Sequence, residues 1–359
     1  MRIARPVVFV LACVAGPALG GSPESAPPAA KGAPSMLPAA ATAALDAFRA
    51  VTWGDRCKPI RAEPAPEGWQ VRVKAQAALA SLDAKDRPTL TALLGDADRF
   101  VRALAARAVG LHGSADDTPA LAEALAAEKD KLARIAMIEA LGRTGGPAAL
   151  AAVEAQQQPG VDADISWMVG LARRQLKGQR WDVENLRAEF AEAARAPFGK
   201  AEKGKEAPEL ALPSPGKPVN LAPYKGRVVV LAFTHGDRDP VAEKALQRLT
   251  MEEERFARLD VQFIVVDPHE KERTAIWQQK VRLPSLVFAS DPAGRAAATY
   301  GLASQVVAGG EWQPSPAWFV IDKKGRIAWS KIGRQQSDCA TLGELLPVLE
   351  DVAHNVVVK

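Results

Sequence analysis

The chain has 359 residues, 48% of them hydrophobic, with 46 Lys and Arg against 42 Asp and Glu and a net charge of +4. That length exceeds one ordinary domain, and the apolar share is enough for more than one core. The charges nearly cancel, and no basic stripe with interleaved aromatics occurs, so nucleic acid is not an expected partner.

Residues 1–20 read as a signal peptide. Arg2 and Arg5 form its positive end, residues 7–14 its apolar stretch, and Ala18-Leu19-Gly20 a small-x-small cleavage site. The apolar stretch is too short to span a bilayer. The alternative takes Val10-Leu11-Ala12-Cys13 as a lipoprotein box. Lipidation at Cys13 is then the only route to a membrane. Both readings place the protein outside the cytoplasm, periplasmic or extracellular. Residues 21–35 are rich in Pro, Ala, Gly and Ser, which is linker composition.

Residues 36–180 are helical by pattern, and they repeat. Val71-Arg72-Val73-Lys74-Ala75-Gln76-Ala77-Ala78-Leu79 is echoed by the stretch from Val101-Arg102 and again by the stretch from Ala133-Arg134. Gly113 and Gly145 close the second and third units. A period of about 30 residues with two helices per unit predicts an α-solenoid, because one helix pair cannot bury its apolar stripe alone. Leu90, Leu93, Leu94, Leu121 and Leu125 supply the partner helices, and Trp167-Met168-Val169-Gly170-Leu171 a degenerate last unit. The pattern resembles HEAT repeats of the short bacterial kind. The repeated Arg72, Arg102 and Arg134 are candidate binding residues for an acidic protein partner; the plainer reading pairs each with an acid of the adjacent unit. Residues 181–205 add one amphipathic helix and a linker rich in Lys, Gly, Ala and Pro.

Residues 206–357 alternate strands and helices. Residues 228–233 form an unbroken apolar run, expected as a central strand buried on both faces. Helix follows over 240–258, strand over 261–266, helix over 271–281, strand over 285–289 and a short helix over 293–300. A hairpin is expected over 317–321 and 326–330. Thr341 and Glu344 stand at capping-box spacing before a last helix.

Several ordered stretches here resemble the redoxin group, the peroxiredoxins of the alkyl hydroperoxide reductase/thiol-specific antioxidant type. These are Gly204-Lys205-Glu206-Ala207-Pro208, Tyr224-Lys225-Gly226-Arg227, Ser290-Asp291-Pro292-Ala293-Gly294 with Tyr300-Gly301, and Phe319-Val320-Ile321-Asp322-Lys323-Lys324-Gly325-Arg326-Ile327. The resemblance implies an α/β thioredoxin fold behind the all-α solenoid. It also implies where thiol chemistry would sit. Aligned on the family's peroxidatic loop, its Pro becomes His235, its Thr Asp239 and its Cys Ala242; aligned on a C-x-x-C pair, the thiols fall on Arg238 and Val241. Pro316 stands where the fold family has a cis-proline facing the active loop, so a cis Ser315–Pro316 bond is expected.

No catalytic residue is assigned. His235, Asp237, Asp239 and Pro316 form the candidate pocket, and Asp267, His269 and Glu270 are expected to emerge beside them at the carboxyl edge of the sheet. No H-E-x-x-H spacing exists, so neither a metal nor a cofactor is expected. Asp237 or Asp239 is alternatively a helix cap. Removal of residues 1–20 leaves Cys57 and Cys339, which either pair across the domains or stay reduced. The resulting expectation is an exported interaction protein that carries a degenerate redoxin domain. The alternative is a thiol oxidoreductase that uses Cys339 or Cys57.

Overall fold

The computed structural model describes residues 36–53, 66–282, 285–303, 306–308, 310–333 and 338–355. The signal segment, the Pro-rich linker, Cys13 and Cys57 lie outside the described residues.

The N-terminal part is built from helices. After α1 (Ala39–Arg49) come pairs of a long and a short helix: α2 (Pro66–Ala80) with α3 (Arg87–Ala92), α4 (Arg99–His112) with α5 (Thr118–Ala127), and α6 (Lys131–Thr144) with α7 (Gly146–Glu154). Then come α8 (Ala163–Leu176) and α9 (Val183–Ala193). The long helices α2, α4, α6 and α8 stack in chain order, as a solenoid requires.

The repeat is specified by more than its apolar stripe. Asp98, Asp130 and Asp162 stand as N-caps of α4, α6 and α8, each side chain accepting from backbone N–H groups one turn in. Each such cap is worth about 1 kcal/mol. Pro88, Pro119 and Pro147 stand in the first turns of α3, α5 and α7, where a missing N–H costs nothing. Gly110 lies against Ala140 and Gly142 against Ala172, so close that an added Cβ would lie 2.9 and 3.1 Å from the opposing Cα atoms. These small residues set the helix spacing.

Helix α9 does not continue the stack. It crosses back over α2 and α4, and Leu186, Phe190 and Ala193 join a core shared by Trp69, Val73 and Leu111 with Ala293, Ala298 and Ala303 of the second domain. The linker after it is pinned too. Gly199 N–H donates to Ala298 O at 2.9 Å, and Ala207 N–H to Gly325 O at 2.9 Å.

The second domain contains β1 (Val228–Phe233), α10 (Pro240–Leu249), α11 (Glu253–Arg258), β2 (Val261–Asp267), α12 (Lys271–Val281), β3 (Leu286–Ser290) and α13 (Arg295–Thr299). There follow β4 (Val306–Ala308), β5 (Glu311–Gln313), β6 (Ala317–Ile321), β7 (Ile327–Ile332) and α14 (Leu342–Ala353). The main sheet has the order β3-β2-β1-β6-β7, with β1, β2 and β3 parallel and β6 and β7 antiparallel. Strand β1 is buried on both faces. Val228, Val230 and Ala232 pack toward α10, Trp277 and α14, while Val229, Leu231 and Phe233 pack toward Leu210, Leu212 and Tyr300. Thr341 and Glu344 close the expected capping box on α14.

Three expectations differ from the structure. The helix over 240–258 is two helices, separated by a 3-10 turn, Thr250–Glu252; Glu253 and Glu254 open α11, where acids favour a new start. No cis peptide bond occurs among the described residues, so Ser315–Pro316 is trans. Its neighbours meet their bonds in that form: Ser315 N–H donates to Leu302 O, and Gly333 N–H to Pro316 O. The third difference is the β4–β5 hairpin, which no alternation signalled because its strands have only three residues each.

Candidate functional site

Strand β1 delivers Thr234, His235 and the 3-10 turn Gly236–Arg238 to the carboxyl edge of the sheet, and β2 delivers Asp267, Pro268 and His269 beside them. The two loops touch. Gly236 has φ +77, and a Cβ there would lie 2.4 Å from the His269 ring and 2.5 Å from Asp267 Oδ1. Only glycine allows that approach without strain. Of the sequence-predicted groups, Asp237, Asp267 and His269 meet in one ion network, while His235 and Asp239 stay outside it and Glu270 pairs with Arg143.

Asp267 Oδ1 meets His269 Nδ1 at 2.6 Å, and Asp267 Oδ2 accepts from Thr274 Oγ1 at 2.8 Å. His269 Nε2 faces Glu311 Oε2 at 3.3 Å. Burial and Arg273 oppose the charge on His269, but Asp267 and Glu311 outweigh them and hold its pKa up at about 10. Arg273 forks onto Asp237, with Nη2 at 2.8 Å from Oδ1 and Nε at 3.1 Å from Oδ2, and also binds Glu311. Burial disfavours the Glu311 carboxylate, yet Arg273 and His269 keep it well below the usual range. His269, Arg273 and Glu311 are each held by two partners, so they are fixed in place, and the charged His269 and Glu311 are poorly suited to moving protons at neutral pH.

Asp239 caps α10: its Oδ1 accepts from Val241 N–H at 3.0 Å and Ala242 N–H at 2.9 Å. Ala242, at the family's thiol position, is fully buried. Arg238 reaches out of the pocket to Asp164 on α8. His235 donates from Nε2 to Pro314 O at 2.9 Å, since a carbonyl can only accept, and burial lowers its pKa, so the ring is neutral. Three buried polar atoms around the vacated position have no hydrogen-bond partner: His235 Nδ1, Asp239 Oδ2 and Ser315 Oγ. Cys339 lies near enough for the Asp239 charge to act on it. Burial first, and then Asp239, push its thiol pKa up to about 11. No cluster of His, Cys, Asp and Glu suited to a metal occurs among the described residues.

The three repeat arginines do not share one role. Arg102 binds Glu128 with Nε and Nη2 at 2.5 and 2.9 Å, and so ties α4 to the loop before α6. Arg134 donates to Gln156 Oε1 at 2.8 Å. Arg72 instead faces the second domain, where its Nη2 approaches Ala293 O at 3.4 Å. Sequence reasoning missed the rest of that interface. Trp69 Nε1 donates to Ala293 O at 2.9 Å, Arg107 Nη2 to Gly310 O at 2.6 Å, and Arg143 joins Glu139 of its own helix to Glu270 of the second domain. Trp312 of β5 packs on Phe48 and Trp53 at centroid distances of 6.1 and 5.7 Å. The face formed by α2, α4 and α6 is thus covered by the chain's own second domain. A signal was present in Arg107 and Glu139, which stand 32 positions apart on adjacent stacked helices.

Peroxiredoxin Bcp of Bacillus subtilis is 30% identical over 156 residues, which are 42% of this chain and 97% of that protein. The chain belongs to the AhpC/TSA family. The family's model matches residues 203–330, and a HEAT-repeat model matches residues 65–142. Chloroplastic peroxiredoxin Q of Triticum aestivum is 25% identical over 155 residues, 43% of this chain and 69% of its own. Among solved structures, a peroxiredoxin-like protein from Aquifex aeolicus matches 43% of this chain and 88% of its own, at 18% identity and a TM-score of 0.38. The redoxin domain thus stands in the AhpC/TSA family, behind a HEAT-repeat domain.

Proposed function

We propose that the protein is an exported interaction protein whose redoxin domain has lost peroxidase chemistry and serves as a docked binding module. One observation carries this reading. The first turn of α10, where the family holds its attacking thiol, presents a capping Asp239 carboxylate and a buried Ala242 methyl. Peroxide reduction needs a thiolate, and a negative cap beside a buried site disfavours one. The thiol among the described residues, Cys339, fares no better with a pKa of about 11. HEAT repeats generally mediate protein contacts, and the redoxin domain already covers α2, α4 and α6. An external protein partner would therefore meet the outer helices α3, α5 and α7 or the far side of the redoxin domain.

A second reading keeps thiol chemistry at Cys339. What favours it is that Cys339 lies close enough to Asp239, the residue that caps α10 at the aligned thiol loop, for that charge to act on it. A base or a conformational change would then have to lower the thiol pKa. Purified protein with hydrogen peroxide and a dithiol reductant separates the two readings. We expect turnover no faster than the uncatalysed rate and unchanged in Cys339→Ser. Turnover abolished by Cys339→Ser would overturn the first reading and establish the second.

A further inference from the structure

Between the HEAT repeats and the redoxin domain lies a cavity of about 60 Å³, bordered by Arg72, Gln76, Arg107, Glu139, Trp312 and their neighbours. A water needs roughly 10–15 Å³ by this measure, so there is room for a few waters or one small polyatomic ion.

The donors around it are underused. Gln76 is 1% exposed, and its amide Nε2 has no hydrogen-bond partner. Arg107 uses Nε on Glu139 and Nη2 on Gly310 O, while its Nη1 is buried without a partner. Arg72 makes no ion pair among the described residues. Its guanidinium carbon lies 5.9 Å from the Trp312 ring centroid, and that of Arg107 lies 4.9 Å from the same ring. Two guanidinium groups thus share one indole. Burial, and then Arg107, lower the pKa of Arg72 to about 10.

The carboxylates that face the cavity are already engaged. Glu139 is held by Arg107 and Arg143, Glu270 by Arg143, and Glu311 by Arg273 and His269. Asp291, which attracts Arg72 from farther off, is turned to cap α13 through the N–H groups of Ala296 and Ala297. The residual chemistry of the cavity is therefore donor-rich and positive. Guanidinium forks match oxyanions in shape and charge, and a buried amide N–H completes such a set.

We propose that the cleft between the HEAT repeats and the redoxin domain binds a small oxyanion, gripped by Arg72, Arg107 and Gln76 beside Trp312. Phosphate, sulfate and a carboxylate group share the required chemistry. Bound there, the anion offsets the repulsion between the two guanidinium groups and adds a bridge across the domain interface. This site does not depend on whether the redoxin domain reduces peroxide.

The test uses the full-length protein. Inorganic phosphate is titrated at constant ionic strength, balanced with chloride, and followed by calorimetry and by tryptophan fluorescence, which Trp312 reports. Parallel titrations use sulfate and acetate; saturation by acetate alone assigns the ligand as a carboxylate. A single saturable site is expected, weakened at least about tenfold in Arg72→Met, which keeps the packing on Trp312 but removes the charge-assisted bonds. Gln76→Leu provides the second arm, since it removes an unpartnered amide and keeps the fold. It should leave the thermal midpoint in anion-free buffer equal or higher, yet weaken phosphate binding. Absence of saturable binding of all three anions up to about 50 mM, or binding equal to wild type in Gln76→Leu and Arg72→Met, overturns the proposal.

Discussion

Arg143 is a buried ionic tie between the two domains, and Arg143→Met should expose its role. Its side chain is 3% exposed, and those of Glu139 and Glu270 are 10% and 11% exposed. At about 3 Å and an effective dielectric near 20, one such pair has a gross attraction of roughly 5 kcal/mol, much of it offset by desolvation. Methionine keeps the packing but strands both acids. Glu139 retains Arg107. Glu270 has no other ion partner among the described residues, and burial already raises its pKa. Breaking a buried pair from one side costs about 3–5 kcal/mol, so the single variant should lose about that much. Adding Glu270→Gln should return roughly 2 kcal/mol, because a buried amide costs less than a buried charge. Urea unfolding with fluorescence and circular dichroism in parallel measures both variants and shows whether the domains separate first. The pH dependence supplies an internal control. Without Arg143 the Glu270 carboxyl is raised further, so it binds a proton more tightly in the fold than in the unfolded chain. The variant should then regain stability relative to wild type as pH falls from about 7 toward 5. If the double variant is no more stable than Arg143→Met, or if acidification gives no recovery, a stranded Glu270 charge is not the source of the loss.

Further expectations follow from the same geometry. Cys339, with a thiol pKa of about 11, should be about 10⁻⁴ thiolate at pH 7. Its alkylation by iodoacetamide in the folded protein should therefore be at least about 100-fold slower than that of a small free thiol; an equal rate would contradict the buried, acid-flanked setting. His269, raised to about 10, contributes stability that is fully present below about 6.5 and is lost as pH rises through 10. Wild-type stability should fall by roughly 1 kcal/mol per pH unit between pH 7 and 9, and His269→Gln should flatten that slope. Gly110→Ala places a methyl 2.9 Å from Ala140 Cα and should cost about 1–3 kcal/mol by forcing α4 from α6; a neutral result would mean the stack is not fixed by that contact.

The period and residue types of the sequence determined a good deal. The repeat of Arg72, Arg102 and Arg134 located the stacked helices because a solenoid repeats its contacts along the chain. The unbroken run in β1 located the central strand because only a strand covered on both faces needs no polar alternate. The absence of a thiol at Arg238, Val241 and Ala242 was legible for the same reason: residue identity needs no coordinates. The Asp98, Asp130 and Asp162 caps recur at the same period but were recognised only from the structure, since an Asp before a helix reads in sequence as an ordinary surface charge. Other features were not in the pattern. The separate fates of the three arginines depend on what lies opposite each one, and only for Arg72 is that the other domain. Glu311 and Trp312 sit in a hairpin too short to signal itself, yet one completes the ion network and the other packs between Arg72 and Arg107. His269 reads in sequence as an ordinary titratable imidazole, and three-dimensional enclosure by Asp267 and Glu311 keeps it charged. The sequence by itself thus determined which elements form and which residues stand at the aligned thiol positions, because those depend on local period and residue type. Tertiary structure alone decided that the second domain would cover the inner helices and gather unpaired donors in the cleft. That outcome depends on pairings between residues as far apart as Arg72 and Trp312, whose separation along the chain carries no information about their contact.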